Sequence, residues 1–312
     1  MSIASMTGSG ITLAAALLLA GPADAAEGAA SHYLPGAAGD FGLALAPAPG
    51  FTVANVVWAQ SGDVGRAVLQ GVVSVDLDLD LVLNLLVASY TFEDRIFGAR
   101  YTIGAALPFG HARLGATVSG PGGRNLGAGG DDFALSDMSI TPVQLSWSVG
   151  DFHLELAESV ILPTGAYDVS KKLNLGRNYW SFDTNAALTW HDQDLGAEVS
   201  IQPGIMFNTK NNATDYRTGT ELHVDFVANK FIAPTFALGP RGYWYRQITG
   251  DGGAGAGLGD FRSESIGLGG GFLWSPAAAG GRLSVIGKVM TDIRAKRRFD
   301  STYGMLTLGL SF

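Results

Sequence analysis

The sequence predicts an all-β chain: a closed antiparallel transmembrane β-barrel of about twelve strands. Three observations lead there. The 312 residues are 47% hydrophobic and only 15% charged, too little charge to solvate the exterior of an ordinary soluble domain, which carries roughly 25%. Glycine is abundant, with 44 residues, and each glycine inside a helix costs about 1 kcal/mol relative to alanine. Apolar and polar residues also alternate with period two in segment after segment, the pattern of strands with two unlike faces.

Taken in order, residues 1–23 carry no charge, Ile11 to Ala20 form a compact apolar run, and Ala23-Asp24-Ala25 has the small-x-small form of a cleavage site. The expectation is a cleaved signal peptide over 1–25, although the usual basic residues before the apolar run are missing. A membrane anchor would need about 20 apolar residues, more than this run offers. Residues 26–49, rich in Ala, Gly and Pro, are read as an N-terminal segment that plugs the lumen, with a loose periplasmic lead as the alternative. The uncharged stretch Phe41 to Gly62 contains Pro47, Pro49 and Gly50, so it is not a spanning helix.

The barrel is assigned to 50–312. Leu77, Leu79, Leu81, Leu83 and Leu85 share one face of a strand, with Asp76, Asp78, Asp80 and Asn84 on the other. Leu195 to Phe207, Thr220 to Phe226, Phe152 to Leu156 and Leu283 to Val289 alternate likewise. In a barrel the apolar face meets lipid and the polar face lines the lumen, whereas a soluble sandwich inverts that sense. Period alone does not separate the two. Strand length does, because the segments approach or exceed the roughly 9–11 residues that cross a bilayer when tilted. Aromatics near segment ends (Tyr90, Phe92, Tyr101, Tyr179, Trp180, Trp190, Tyr243, Tyr245, Trp274, Tyr303) read as interfacial girdles. The last residues alternate Leu306, Leu308, Leu310, Phe312 against Thr307, Gly309, Ser311. This resembles the terminal-strand signal that the barrel-assembly machinery of bacterial outer membranes reads, and implies a final strand that closes on the first.

Candidate strands fall near 50–60, 77–91, 95–107, 134–148, 151–162, 178–191, 194–208, 217–229, 235–249, 262–275, 281–294 and 303–312. Twelve is even, as bacterial barrels are; ten or fourteen stay open, because 66–75 and 109–119 could each be a further strand. Gly150-Asp151 and His191 to Asp194 read as periplasmic turns. Ser119 to Asp132, Gly165 to Arg177, Asn208 to Tyr216 and Thr249 to Asp260 read as outer loops.

Several motifs at the loop edges are shared with one family. They are His32-Tyr33-x-Pro35-Gly36; Pro163-Thr164-Gly165-x-Tyr167-Asp168 leading to Asn174-x-Gly176-x-Asn178-Tyr179-Trp180; Phe207-Asn208 with Asn211-Asn212-x-Thr214-x-Tyr216-x-x-Gly219; His223-x-Asp225; and Gly242-Tyr243-x-Tyr245-x-Gln247-x-x-x-Asp251. The series resembles the outer-membrane transporters labelled for the meta-pathway of phenol degradation, over nearly the whole mature chain. The resemblance implies a barrel that assists uptake of aromatic or other hydrophobic compounds. The Gly250 to Gly259 loop and the Asp76 to Asp80 row depart from the family pattern.

The chemistry expected is binding without reaction. The net charge of −8 gives no field that attracts nucleic acid, and zero cysteines exclude thiolate chemistry and disulfides. No cofactor or metal is expected. His153 with Glu155, and His223 with Glu221 and Asp225, share a face as metal ligands would, but residues at i and i+2 on a strand do so wherever a lumen is wet. No serine-hydrolase elbow is present. Glu155, Glu198, Glu221, His223, Asp225 and Lys288 are expected to line the lumen, with Arg246 and Arg294 adding positive charge. Tyr167, Asn178, Tyr179, Trp180, Tyr243, Tyr245 and Gln247 are expected to bind the ligand, since aromatic walls bury apolar molecules while a few amides orient them; the girdle is their competing role. The Asp76 row is read as pairing with bases such as Arg100, and Lys296-Arg297-Arg298 as a solvated turn. Glu158, out of phase on an apolar face, calls for a β-bulge or an interfacial depth. The partners are then outer-membrane lipid, a small hydrophobic or aromatic solute, and the assembly machinery acting on the strand that ends at Phe312. The alternatives are an outer-membrane enzyme of lipase or acyl-transfer type, which a closely spaced Ser and His would mark, and a structural barrel with a filled interior.

Overall fold

The computed structural model describes residues 31–38, 40–68, 73–120, 124–171, 173–256 and 262–312. The signal peptide expected at 1–25, the first residues of the segment 26–49 and part of the glycine-rich loop (257–261) lie outside the described residues.

Among the described residues thirteen strands follow one another: β1 (Gly50–Val68), β2 (Val73–Ile96), β3 (Ala99–Gly120), β4 (Arg124–Leu135), β5 (Ser139–Val149), β6 (Phe152–Ile161), β7 (Ser181–Asp192), β8 (Ala197–Asn208), β9 (Glu221–Ala233), β10 (Phe236–Gln247), β11 (Glu264–Trp274), β12 (Leu283–Lys296) and β13 (Asp300–Ser311). All pairings are antiparallel, and β13 closes on β1 from Thr52↔Ser311 to Asp63↔Asp300. The ring contains twelve strands. The thirteenth, β4, is an addition: β3 pairs with β5 through Arg100 to Ala106, and with β4 through Phe109 to Gly120. Residues 66–68, 73–75 and 109–119 therefore prolong β1, β2 and β3 and do not enlarge the ring; 69–72 lie outside the described residues. The outer loop expected at 119–132 is largely β4.

β2 has 24 residues and β3 has 22. At about 3.3 Å per residue a 24-residue strand runs roughly 80 Å, against a hydrocarbon core of about 30 Å. The β1–β4 hairpins thus stand clear of the membrane at one end. That end also carries the long connections 162–180, 209–220 and 248–263. The other end has tight turns, including Phe97-Gly98 with φ of 52° and 79°, the doubly positive pair that a type I′ hairpin requires. Short turns mark the periplasmic side of such barrels and long ones the outer side.

Outward side chains over most of the ring are apolar: Leu154, Leu156, Val199, Ile201, Phe226, Val289, Leu306 and Leu308 are all exposed. Phe51, Tyr90, Phe92 and Tyr101 form a ring-to-ring series at the periplasmic rim, with centroids 5.0–6.4 Å apart. Tyr179, Tyr243, Tyr245 and Tyr303 do not belong to a girdle; they are buried in the interior.

β2 reverses the expected sense. Leu79 and Leu83 are buried, Leu77 to Leu85 face the lumen, and Asp76, Asp78 and Asp80 point outward. The reason is depth. The aspartates lie on the extension beyond the membrane, where the outer face meets water, while lower on the same face Val82, Leu86 and Tyr90 are exposed and apolar. Arg100 sits at the far end of β3, opposite Arg95, and does not serve the row; the register puts Ser61 and Arg113 beside Asp80, and Ser61 donates to it at 2.7 Å. A bulge does occur near Glu158, but in β5: the register shifts between Ile140 and Val143 against both neighbours. Glu158 keeps its outward phase and accepts a hydrogen bond from Thr184 at 2.6 Å.

Candidate functional site

The lumen has two unlike walls. From β6 to β12 the inward positions are polar, and the segment 31–49 lies along them. Ser31 donates to Glu221 at 2.9 Å, near the outer end of β9. Tyr33 donates to Asp225 at 3.0 Å, with its ring stacked on His223 (4.4 Å) and on Tyr245 (5.6 Å). Further down, the Lys288 ammonium donates to the carbonyls of Gly36 (2.7 Å) and Ala37 (3.2 Å) and to Asp40 (2.6 Å). Arg241 lies 4.9 Å over the Phe41 ring. Near the periplasmic end, Gly42 N–H donates to Glu198 at 2.6 Å and Ala44 N–H to Thr189 at 3.0 Å. The segment runs from the outer half of the lumen to its periplasmic mouth and turns into β1. At Gly36 the backbone has φ +66°, a left-handed conformation that favours glycine at this turn against β12.

The six residues read as lumen-lining divide their work accordingly. Glu198, Glu221, His223, Asp225 and Lys288 hold or stack on this segment, and Glu155 accepts from Gln144 and Ser146 within the wall. Arg246 and Arg294 are not in the lumen: they flank Glu264 on the outer surface, Arg294 at 3.8 Å. His223 bonds Asp183 at 2.9 Å and His153 lies 2.7 Å from Ser148; among the described residues no group of three metal-ligating side chains forms.

The second wall is apolar. Leu77, Leu79, Leu81, Leu83 and Leu85 of β2, with Pro108, Ala112 and Leu114 of β3, border a cavity of about 550 Å³ in the outer half of the lumen. Ser31 to Pro35 close it on the plug side, and Tyr167, Val169 and Leu173 to Arg177 come from the long loop between β6 and β7. Such a volume is that of a small-molecule site. Of the seven residues expected to bind ligand, Tyr167 borders this cavity, its hydroxyl accepting from Asn211 at 3.0 Å. Tyr245 donates to Glu221 and Tyr243 to Asp292, beneath the plug. Gln247 donates to Asp251 at 2.6 Å and Asn178 to Asn211 at 2.8 Å, inside the loops. Tyr179 is buried beside His32, with ring centroids 4.8 Å apart, and Trp180 is on the outer surface.

His32 joins plug, wall and loop. Its Nδ1 is 2.7 Å from Ser181 Oγ, and its Nε2 is 3.0 Å from Asp137 Oδ2. Asp137 also accepts the backbone N–H groups of Gly165 (2.8 Å) and Arg177 (2.6 Å), the two ends of the loop's inner turn. Burial lowers the His32 pKa in spite of Asp137, keeping the ring neutral. Burial works to raise the Asp137 carboxyl, but the bonds from His32, Arg177 and Gly165 outweigh it and hold the pKa below the usual value. The order Ser–His–Asp is that of a nucleophile triad. Ser181 is fully buried, however, and donates to Asn208 Oδ1 as a second partner at 2.5 Å. The arrangement ties the 31–49 segment to β7 and to the loop between β6 and β7.

Sequence reasoning passed over Asp137 and Ser181 and gave the β2 leucines to the lipid-facing side. No local pattern joins residues 32, 137 and 181; only barrel closure does. It also misplaced Arg298, which is buried against the lumen, 4.3 Å over the Tyr245 ring, and not in a solvated turn.

The comparisons bear on this geometry. An outer membrane channel of the COG4313 group from Pseudomonas putida F1 superposes with a TM-score of 0.65 at 17% identity, over 88% of this chain and 99% of that one. The β domain of the Bordetella autotransporter BrkA (13% identity, 85% and 100% covered, TM-score 0.43) and the transport unit of AIDA-I from Escherichia coli (12%, 84% and 90%, 0.43) align more loosely. None of the curated proteins matches the sequence. The fold is that of an outer-membrane β-barrel, and a family model matches residues 61–308. On that match, the chain belongs to the family described as "Putative MetA-pathway of phenol degradation".

Proposed function

We propose that this protein is an outer-membrane channel for passive uptake of small hydrophobic or aromatic molecules, with no chemical step. The observation that carries this reading is the apolar lumen wall. Five leucines of one strand face inward around a 550 Å³ cavity, although polar lumen faces are the rule in barrels. Moving a buried leucine-sized apolar group out of water is worth about 1.5–3 kcal/mol, so such a wall concentrates apolar solutes from dilute solution. The segment 31–49 fills the path below the cavity, and its displacement opens that path. Its seat is made of individually exchangeable polar contacts, the kind of contact a gate can break and remake. Family membership supports the solute class, and the channel fold supports the route and an outer-membrane location.

The test is single-channel recording of the refolded protein in a planar bilayer, with and without toluene. Discrete conductance steps that toluene blocks support the reading. Silence in protein shown to be folded by heat-modifiable gel mobility would favour a filled structural barrel.

A further inference from the structure

The cavity wall is not electrically neutral. Among the described residues, the charged groups bordering it are three cations, Lys171, Arg177 and Arg298, against one carboxylate, Asp137, in a chain whose net charge is −8. Asp137 is fully engaged with His32, Gly165 and Arg177, and Lys171 is paired with Asp132 at 3.1 Å.

Arg298 is different. It follows β12 in the turn to β13 and is 7% exposed, and its Nη1 is buried with no hydrogen-bond partner among the described residues. Its guanidinium rests on the Tyr245 ring. Two buried carboxylates share its electrostatic surroundings, Asp292 and Glu221, and take their hydrogen bonds elsewhere. Asp292 accepts from Tyr243, from Tyr303 (3.3 Å) and from Ser301 N–H (3.1 Å), and Glu221 accepts from Tyr245 (2.8 Å) and Ser31 (2.9 Å). A second donor on the same wall, Trp58 Nε1, is likewise buried without a partner among the described residues, its ring 5.6 Å from Tyr303. Buried donors, and a buried cation above all, call for an acceptor.

We propose that the cavity binds an amphipathic carboxylate: the apolar body lies on the β2 leucines, and the carboxylate accepts hydrogen bonds from Arg298, with Trp58 Nε1 as a further donor. Guanidinium suits this role because its planar fork matches a carboxylate and stays charged at any physiological pH. The inference rests on the uptake reading and narrows its solute class. A purely hydrocarbon ligand would leave both donors unanswered; a carboxylate answers the guanidinium with charge-assisted bonds, roughly twice as strong as those to a neutral amide.

The experiment is isothermal titration of the full barrel in lipid nanodiscs with 4-phenylbutyrate and with its neutral amide, 4-phenylbutyramide. The carboxylate is expected to bind at least tenfold more tightly than the amide. In Arg298→Gln that preference should vanish while amide binding is retained, and Arg298→Lys should keep part of it, with heat-modifiable mobility confirming that both variants fold. Equal affinity of the wild type for the two molecules overturns the anchor and leaves the apolar-cavity reading standing. Failure of folded wild type to bind either molecule overturns both.

Discussion

Single residues hold the 31–49 segment in two different ways. Lys288 gathers three oxygens of the 36–40 turn onto one ammonium, and charge-assisted bonds of this kind are worth about 1.5–3 kcal/mol each. His32 works through a proton it does not bind. Its folded pKa is lowered from 6.5 by burial, so when the segment leaves its seat the ring takes up a proton near pH 6.5 that the seated ring refuses. The seated state therefore has its full advantage above that pH and loses it as the pH falls towards the folded pKa. The neighbours Asp137 and Arg177 do not reverse the sign: the Asp137 pKa is itself lowered below 3.8, and Arg177 opposes a second positive charge. Single-channel recording between pH 7 and pH 5 should show open probability rising several-fold with acid, and His32→Gln should flatten the profile. A wild-type profile already flat across that range contradicts this role of His32.

At the scale of elements, β2 shows what alternation tells and what it leaves open. The period-two run from Asp76 to Leu85 identified a strand with two faces, and that much was legible. Which face met the lumen was not, because it depends on how far the strand rises above the membrane and on which wall the plug occupies. The assignment has a direct test. Leu83 is inward and buried, and Val82 is outward and exposed. Leu83→Ser should weaken binding of an apolar solute tenfold or more, in line with roughly 1.5–3 kcal/mol for a buried leucine, measured on protein that heat-modifiable gel mobility shows to be folded. Val82→Ser should leave solute binding unchanged. Titration of both variants with toluene checks this, and the opposite ranking would restore the lipid-facing assignment. β4 was hidden for another reason: its glycine-rich stretch Leu126-Gly127-Ala128-Gly129-Gly130 reads as loop, and it becomes a strand only because the outer half of β3 supplies a free edge. Tyr243 and Tyr245 looked like girdle residues because they end a strand, whereas their phase turns them inward, onto Tyr33.

For the whole molecule, the period-two pattern and the even strand count made the barrel legible; the Ala-, Gly- and Pro-rich stretch before β1 lies in the lumen over its described residues. The division of the lumen was not legible. It arises because the polar wall from β6 to β12 and the apolar wall of β2 and β3 come from strands far apart in sequence, and residues 31–49 run between them. The central claim is that transport requires this segment to leave its seat. Since the chain has no cysteine, a disulfide between Ala44→Cys and Thr189→Cys, whose backbone N–H and side chain are in contact at 3.0 Å, would lock the segment without competing thiols. Single-channel recording of that double variant before and after reduction is the decisive measurement. The account predicts a silent barrel when oxidised and toluene-sensitive conductance steps after dithiothreitol is added. Equal conductance in both states would show that the solute path bypasses the plug and would contradict the account.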